Sequence, residues 1–290
     1  MTESVATPPV SIILATYNSA THLAEAIDSI LHQTFPHFEL VVVDDGSTDG
    51  TAATLASFHD PRIIRLRHPA NGGVARANNT GFLASRGAFI GFIGSDDTWE
   101  TEKLAIQMSC FSQLSEEYGA VYSDMWEIDP SGNRRYWRSP EITSAQIVNP
   151  DTADYQVHCL GNGTTLLRRA CMERTGLFDE QFRCFVDLDF FIRATQHSRF
   201  YHLRQPLYVY RSSRGVSSNP VEVCLARLLL LQKYPETAQN REFLAKQRDL
   251  ICPHLQALKE RPMAYSSIDS ATLQKLLSTA RNASTTTGSR

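Results

Sequence analysis

Residues 10–50 read VSIILATYNSATHLAEAIDSILHQTFPHFELVVVDDGSTDG, and the fold is decided here. Val10 to Ala15 is an unbroken apolar run rich in branched residues, the pattern of a strand covered on both faces. Leu23, Ala26, Ile27, Ile30 and Leu31 then recur at helical spacing, after Ser19 and Thr21, either of which can cap a helix. A second apolar run, Phe38 to Val43, stops abruptly at Asp44-Asp45-Gly46-Ser47-Thr48-Asp49. Working outward, Gly50 to Phe58 predicts a further helix and Ile63 to Leu66 a third strand. Strand, helix, strand, helix, strand is the order of a parallel sheet with right-handed crossovers. The expected class is therefore α/β, with a mostly parallel central sheet and helices on both faces.

Downstream, Asn71-Gly72-Gly73 marks a tight turn before a small-residue helix, Val74 to Ser85, that carries Arg76 and Asn79. Phe89 to Ile93 is a fourth apolar run, and it ends in adjacent carboxylates, Asp96 and Asp97. Two acids side by side at the carboxyl end of a buried strand repel each other and call for a cation, and such strand ends are where α/β proteins hold ligands. Leu104, Met108, Phe111 and Leu114 read as an amphipathic helix. Ala120 to Tyr122 predicts a strand ending at Ser123-Asp124. Residues 126–160 carry turn signals and weak periodicity, the reading of a loop-rich acceptor region. Gly161-Asn162-Gly163 precedes another strand-like run, and Asp187 and Asp189 lead into a helix, Phe190 to Gln196. Leu207 to Tyr210 predicts a last strand ending at Arg211.

The expected division is a nucleotide-binding half at 1–98, an acceptor half of the same domain at 99–217, a helical extension at 218–260 and a disordered tail at 261–290. In the extension, Arg227, Lys233, Arg241, Lys246 and Arg248 are interleaved with apolar positions. A solvated helix face is the first reading of that pattern and peripheral contact with an anionic membrane the second.

Composition excludes several classes. The 290 residues are 42% hydrophobic and carry a formal charge of −3, which gives no basic footprint for nucleic acid. Six scattered cysteines include no CxxC pair, which points to a reduced cytoplasmic setting, at the inner face of a membrane if the extension attaches there. The segment MTESVATPPV lacks a basic flank and an apolar core, and no run approaches the roughly 20 apolar residues that cross a bilayer. The absence of GxGxxG and of GxxxxGK[ST] disfavours dinucleotide-binding dehydrogenases and P-loop NTPases.

VSIILATYN, VVVDDGSTDGT, NGGVARANNTG, FIGSDDTW, GLFDE, VDLDFFIR and VYR, in this order, resemble the family two glycosyltransferases of the GT-A fold, over about Pro9 to Ser217. The resemblance implies inverting transfer from a nucleoside diphosphate sugar, UDP-linked in the first instance, to a glycan or lipid-linked acceptor, with Mn²⁺ or Mg²⁺. It carries no oligomeric state with it. Thr16, Tyr17, Asn18, Asp44 and Asp45 would hold the nucleobase and ribose, Asp45 accepting from the base, with Arg76 and Asn79 flanking the nucleoside. Asp96 would take the ribose or a metal-bound water and Asp97 the metal, the two roles being exchangeable. Gly161, Asn162 and Gly163 would border the acceptor, Arg211 would meet the diphosphate, and Asp187 would be the catalytic base.

The chain departs from the family pattern at Gly94, where the motif Asp-x-Asp-Asp has its first acid, and at Val186, where a glutamate is usual. Those losses motivate the alternative of a nucleotide-sugar-binding protein without transfer activity. A nucleotidyltransferase shares the layout but would need an early Gly-rich basic loop that the chain lacks. Locally, Asp44, Asp45 and Asp49 have a turn-shaping or capping alternative, Asp96 and Asp97 a capping one, and Asp187 and Asp189 a capping or ion-pairing one with Arg193.

Overall fold

The structure, a computed structural model, describes residues 7–139, 142, 161–212, 219–234, 245, 249 and 250. These fall into two compact units, the first built from Met1–Gln181 with Val186–Ser213, the second from Phe182–Phe185 with Arg214–Arg290.

In the first unit, β1 (Val10–Thr16), β2 (Phe38–Asp44), β3 (Ile63–Arg67) and β4 (Phe89–Gly94) pair in parallel in the order β3-β2-β1-β4. The crossovers contain α1 (Leu23–Leu31), α2 (Thr51–Ala56) and α3 (Val74–Ala84). Strand alternation distributes these helices. Leu40 and Val42 share a core with Leu23, Ala26, Ile27 and Ile30 of α1, whereas Val41 and Val43 pack with Ala77 of α3. Helices therefore lie on both faces, as the continuous apolar runs require.

Beyond β4 the sheet is mixed. It contains β5 (Thr98–Trp99), β6 (Tyr118–Ile128), β7 (Arg134–Trp137), β8 (Thr165–Arg168) and β9 (Arg199–Arg211), with α4 (Lys103–Phe111), α5 (Arg169–Thr175) and α6 (Val186–Ala194) in the connections. β8 runs antiparallel between β4 and β6, β9 is parallel to β6, and β5 and β7 are antiparallel to β9 and β6. One sheet thus continues through residue 98, joining the two expected halves of the same domain.

Two strands are longer than their apolar cores suggest, because β6 and β9 extend each other through half-exposed polar positions. α6 begins at Val186 rather than Phe190, which places Asp187 and Asp189 in its first turn, where helix N–H groups favour acids. Opposite Asp124 the β6–β9 register jumps from Ser123↔Leu203 to Asp124↔Pro206. This bulge bends the strand. Asp124 is fully buried there and accepts from His202 Nε2 at 2.7 Å, the Ser139 N–H at 2.8 Å and the Tyr136 hydroxyl at 2.5 Å.

The second unit contains α7 (Pro220–Lys233). Arg227 is buried with its guanidinium 5.2 Å from the Phe185 ring centroid, and Lys233 lies 5.5 Å from that of Phe182. Arg227 is therefore no part of a solvated or membrane-facing stripe. The rest of the expected helices to Lys259, apart from residues 245, 249 and 250, lies outside the described residues, as do the tail and all of 143–160. Cys110, Cys171, Cys184 and Cys224 are free thiols. No helix among the described residues is long and apolar enough to cross a membrane.

Candidate active site

The carboxyl ends of β1, β2 and β4 lie side by side, and each leads into a turn whose polar groups bind its neighbour. The Asp45 N–H donates to the Thr16 carbonyl at 2.8 Å, and the Asn18 N–H donates to Ser47 Oγ at 3.0 Å. Asn18 Oδ1 accepts from the Thr48 N–H at 2.8 Å. Asn18 adopts a φ of 48°, a left-handed conformation that asparagine tolerates. Asp49 shapes the turn before α2, whose N-cap is Gly50, by accepting the Thr51 N–H at 2.9 Å and the Ala20 N–H at 3.2 Å.

Adjacent acids have different tasks here. Both oxygens of Asp45 are taken by the protein. They accept the Gly72 N–H at 3.0 Å, the Gly73 N–H at 2.8 Å and His68 Nδ1 at 2.6 Å. Asp45 thereby ties the 71–73 turn to β2, and Gly46, with φ 78° and a notional Cβ 2.7 Å from the Ala70 backbone, permits the close approach. Asp44 accepts the Ser47 N–H on Oδ1 at 2.8 Å. Its Oδ2 is buried without a hydrogen bond, with Arg67 Nη1 3.1 Å away but out of line. The residue in register with it, Thr16, also buries an Oγ1 that has no partner. Buried polar atoms are normally hydrogen-bonded; here Thr16 Oγ1 has no bond, and Asp44 Oδ2 has only its ion pair with Arg67.

Tyr17 is exposed beside them. Arg76 is exposed too, and its Cδ lies 2.5 Å from where a Gly72 Cβ would sit, so its stem covers that glycine. Asn79 departs from the expected nucleoside contact. It is buried, and its amide donates to the Phe178 carbonyl at 3.0 Å and to Glu180 Oε1 at 3.1 Å while accepting the Phe178 N–H at 2.9 Å. Its polar atoms brace α3 against the GLFDE turn.

At the end of β4, Asp97 is 5% exposed, and its oxygens accept the Tyr208 hydroxyl and the Arg211 N–H, the latter at 2.8 Å. Burial, and then the charge of Asp96, push its pKa up to about 7 against the pull of Tyr208 and Arg211. Burial holds the Tyr208 hydroxyl well above its ordinary value, so it remains a donor. Asp96 is half-buried, with its carbonyl accepting Arg211 Nε at 3.1 Å, and Arg211 Nη2 reaches Glu25 Oε2 at 2.8 Å. A Cβ on Gly94 would stand 2.6 Å from Asp97 Oδ2 and 3.1 Å from Asp96 Oδ1. The two carboxylates thus fold back into the space that the family's first acid would need.

Among the described residues no three His, Cys, Asp or Glu side chains converge on a metal site. The Asp96–Asp97 pair, with one acid committed to protein donors and the other half-buried beside it, fits a hard cation that takes its remaining oxygens from phosphate and water.

Opposite the acids, Gly161 leads into a 3₁₀ turn, Asn162–Thr164, and a Cβ on Gly163 would lie 2.3 Å from the Tyr208 ring. The turn therefore packs on the tyrosine that holds Asp97. It is fixed from behind by Gln107, whose Nε2 donates to the Thr164 carbonyl at 2.9 Å, and by the fully buried Lys103, which donates to Gln107 and lies 4.4 Å from the Trp99 ring centroid. Asn162 Oδ1 is another buried acceptor without a partner.

α6 is attached to β4 through Phe92, Phe178 and Phe190, with successive centroids 5.1 and 4.8 Å apart. Its two acids differ in environment. Asp189 is fully buried and gripped by Arg193 Nε and Nη2 at 3.1 and 3.0 Å, whereas Asp187, two residues after the positive-φ Phe185, is half-buried. A bulky residue in the left-handed region costs roughly 1–3 kcal/mol, and such strain clusters at functional sites. Tyr208, His68, Lys103 and Glu25 belong to this constellation without having been singled out in the sequence. Tyr208, His68 and Glu25 meet their partners across long sequence separations, and Lys103 meets its own one helical turn away, outside any local motif.

Comparison with known proteins agrees with this geometry. The model of glycosyl transferase family 2 matches residues 11–176. Over 220 residues the chain is 30% identical to an uncharacterized glycosyltransferase of Rickettsia prowazekii (76% of this chain, 69% of the relative). It is 33% identical to the uncharacterized glycosyltransferase EpsJ of Bacillus subtilis over 220 residues (71% of this chain, 62% of the relative). Among solved structures, S. aureus TarS 1–349 superposes with a TM-score of 0.61 at 21% identity (93% and 78% of the two chains). The mannosyltransferase PcManGT of Pyrobaculum calidifontis, in complex with GDP-Man and Mn²⁺, gives 0.57 at 18% (96% and 81%). The fold is that of the GT-A glycosyltransferases, and the chain belongs to glycosyl transferase family 2.

Proposed function

We propose that the protein transfers a sugar from a nucleoside diphosphate sugar, UDP-linked in the first instance, to an acceptor hydroxyl with inversion, in the assembly of a glycan or polysaccharide. The observation that carries this reading is the pairing of Thr16 Oγ1 and Asp44 Oδ2, neither of them hydrogen-bonded, with the acids Asp96 and Asp97, at the ends of neighbouring parallel strands. One end has unspent hydrogen-bonding groups for a base, and the other has charge for a metal–diphosphate. Asp44, rather than Asp45, is the acid for the nucleobase, because both oxygens of Asp45 are hydrogen-bonded within the protein whereas Asp44 Oδ2 has only the ion pair with the exposed Arg67. Asp45 and His68 instead hold the 71–73 turn, which places Arg76 beside the site.

Mn²⁺ or Mg²⁺ held by Asp96, with Asp97 behind it, would neutralise charge developing on the leaving diphosphate. Arg211 stands beside both acids to meet the same phosphates once Glu25 releases it. On the acceptor side Asp187 takes the proton of the attacking hydroxyl, and Asp189, spent on Arg193, is a structural acid. One base on one face gives inversion. Support for a nucleotide-sugar donor also comes from the structures of TarS with UDP-GlcNAc and of PcManGT with GDP-Man. The alternative of a binding protein without transfer rests on Gly94 and Val186.

Asp187→Asn separates the two readings. It should leave UDP binding intact in Mn²⁺ and lower transfer by about 10²-fold or more, the lower range for loss of a general base. Wild-type transfer by Asp187→Asn removes Asp187 as the base, and a wild-type protein that binds UDP without ever hydrolysing a UDP-sugar favours the binding protein. In EDTA, stabilisation by UDP should disappear, and its persistence would count against the metal.

A further inference from the structure

The hairpin of β6 and β7 carries a feature that the donor chemistry does not use. Residues 134–138 read RRYWR, and strand register shows where these side chains go. Arg134 pairs with Ile128, and Ile128 pairs with Arg211; Tyr136 pairs with Trp126, and Trp126 pairs with Val209. Residues opposite each other across a sheet share a face, and neighbouring strands are about 4.8 Å apart, so Arg134 stands about 10 Å from Arg211 along one row. Arg211 is the residue bound to both Asp96 and Asp97. The other face, with Met125, Trp137 and Tyr208, packs on the core.

On the Arg211 face the aromatic rings form a fixed surface. Trp126 and Tyr136 meet edge to face with centroids 5.6 Å apart, and the Arg134 guanidinium lies 4.6 Å from the Trp126 ring centroid. Tyr136 is 46% exposed, yet its hydroxyl is anchored on the fully buried Asp124. An exposed tyrosine that cannot rotate away, beside a half-buried tryptophan, suits a ligand with an apolar face and a polar rim, because little side-chain freedom is lost on binding. Arg134 is already paired with Glu100, and Glu127 accepts from the Trp137 indole. The strip is therefore no unpaired basic patch of the kind that draws a membrane surface or a nucleic acid.

We propose that the Trp126–Tyr136 platform with Arg134 binds an oligosaccharide acceptor, holding the sugar units that precede the one being glycosylated. This rests on the transferase reading and deepens it. Continuity of the row Arg134–Ile128–Arg211 leads from the acids at the donor side to the platform. A pyranose stacks its C–H face on a ring while its hydroxyls meet the guanidinium and its neighbouring carboxylate. The separation of about two strand spacings between Arg211 and Arg134 suits a chain of sugars rather than a single one.

The test uses the full chain on an array of hexose, N-acetylhexosamine and hexuronate oligosaccharides of one to six units, with UDP-sugar hydrolysis measured in parallel. The wild-type protein should retain particular oligosaccharides and not their monosaccharides. Trp126→Leu should weaken that retention by roughly three- to tenfold, the worth of a stacked ring, while its melting temperature and donor hydrolysis match wild type. Trp126→Phe, which keeps an aromatic face, should restore most of it. The platform is overturned if no oligosaccharide is retained, if Trp126→Leu retains them as wild type does, or if the substitution abolishes binding to anionic liposomes and leaves glycan retention untouched. Loss of donor hydrolysis in the wild-type protein would instead strike the proposed function, which this array does not measure.

Discussion

Asp44→Asn and Asp45→Asn are one atom apart in chemistry and one residue apart in sequence, and the structure assigns them opposite consequences. Asp45 is 3% exposed and accepts two backbone N–H groups and an imidazole nitrogen. An amide at that position keeps one acceptor oxygen and turns an NH₂ toward donors, so at least one of these partners is left without an acceptor. Bonds to a buried charge are worth about 1.5–3 kcal/mol, and a buried donor left unsatisfied costs about 1–3; the two overlap rather than add in full, so a loss of roughly 2–4 kcal/mol follows. For a chain of this size that lowers the melting temperature by about 5–15 °C. Asp44→Asn keeps the acceptor for the Ser47 N–H and gives up a poorly aligned contact with a half-exposed Arg67, a change within about 1 kcal/mol. If Asp44 Oδ2 accepts from the nucleobase, however, the amide presents N–H to N–H, and UDP affinity falls by about 10- to 100-fold. Thermal melts and calorimetric titration with UDP in Mn²⁺ measure both. The reasoning fails if Asp45→Asn melts like wild type and loses UDP while Asp44→Asn binds UDP normally.

Three further outcomes are expected. Gly94→Asp, which restores the family's first acid, should lower turnover rather than raise it, because its Cβ would meet two carboxylates of which Asp97 is held by Tyr208 and Arg211; a more active variant in a transfer assay would refute this. Burial alone holds the Lys103 amine well below its ordinary value, so the unfolded chain binds a proton that the folded one sheds, and stability rises with pH through that window and is lost as pH falls. Denaturant melts toward pH 10 should show wild type gaining on Lys103→Met by up to about 1.4 kcal/mol per pH unit, and a parallel pair of curves would show the amine titrating normally. Arg193→Ala removes both guanidinium bonds from the fully buried Asp189 and should cost about 3–5 kcal/mol, whereas Asp189→Asn with Arg193→Met together should recover part of it in the same melts.

The parallel half of the sheet was legible because burial on both faces leaves uninterrupted apolar runs, and each run ends where the ligand-facing turn begins. The mixed half was not. β9 opens with Arg199, His202, Arg204 and Gln205, half-exposed or bulged positions that carry no alternation, and only its buried end from Leu207 to Val209 reads as a strand. β7 is short and has three exposed residues, so RRYW gives no strand signal even though it pairs with β6 throughout. The start of α6 was hidden by Phe185, whose positive φ marks a turn that no sequence rule assigns to phenylalanine.

At the candidate site the motifs located the acids, but the division of labour depends on contacts that lie far apart in the chain. Asp44 and Asp45 are the same residue type in one motif, and it is His68 and the 71–73 turn that occupy the second, while the first keeps an oxygen held only by the ion pair with Arg67. Asn79 has the helical position of a site residue, yet its partner is Phe178, 99 residues on. The same holds for the departure at Gly94. Read locally it is a lost acid and an argument for a degenerate protein. With β9 in place it is the position over which Asp97 is folded back by Tyr208, 111 residues downstream, and by the Arg211 N–H. The missing carboxylate and the bulged strand that ends at Arg211 are then two parts of one arrangement, in which two acids, one of them held by a buried tyrosine, occupy the space that an aspartate at position 94 would need.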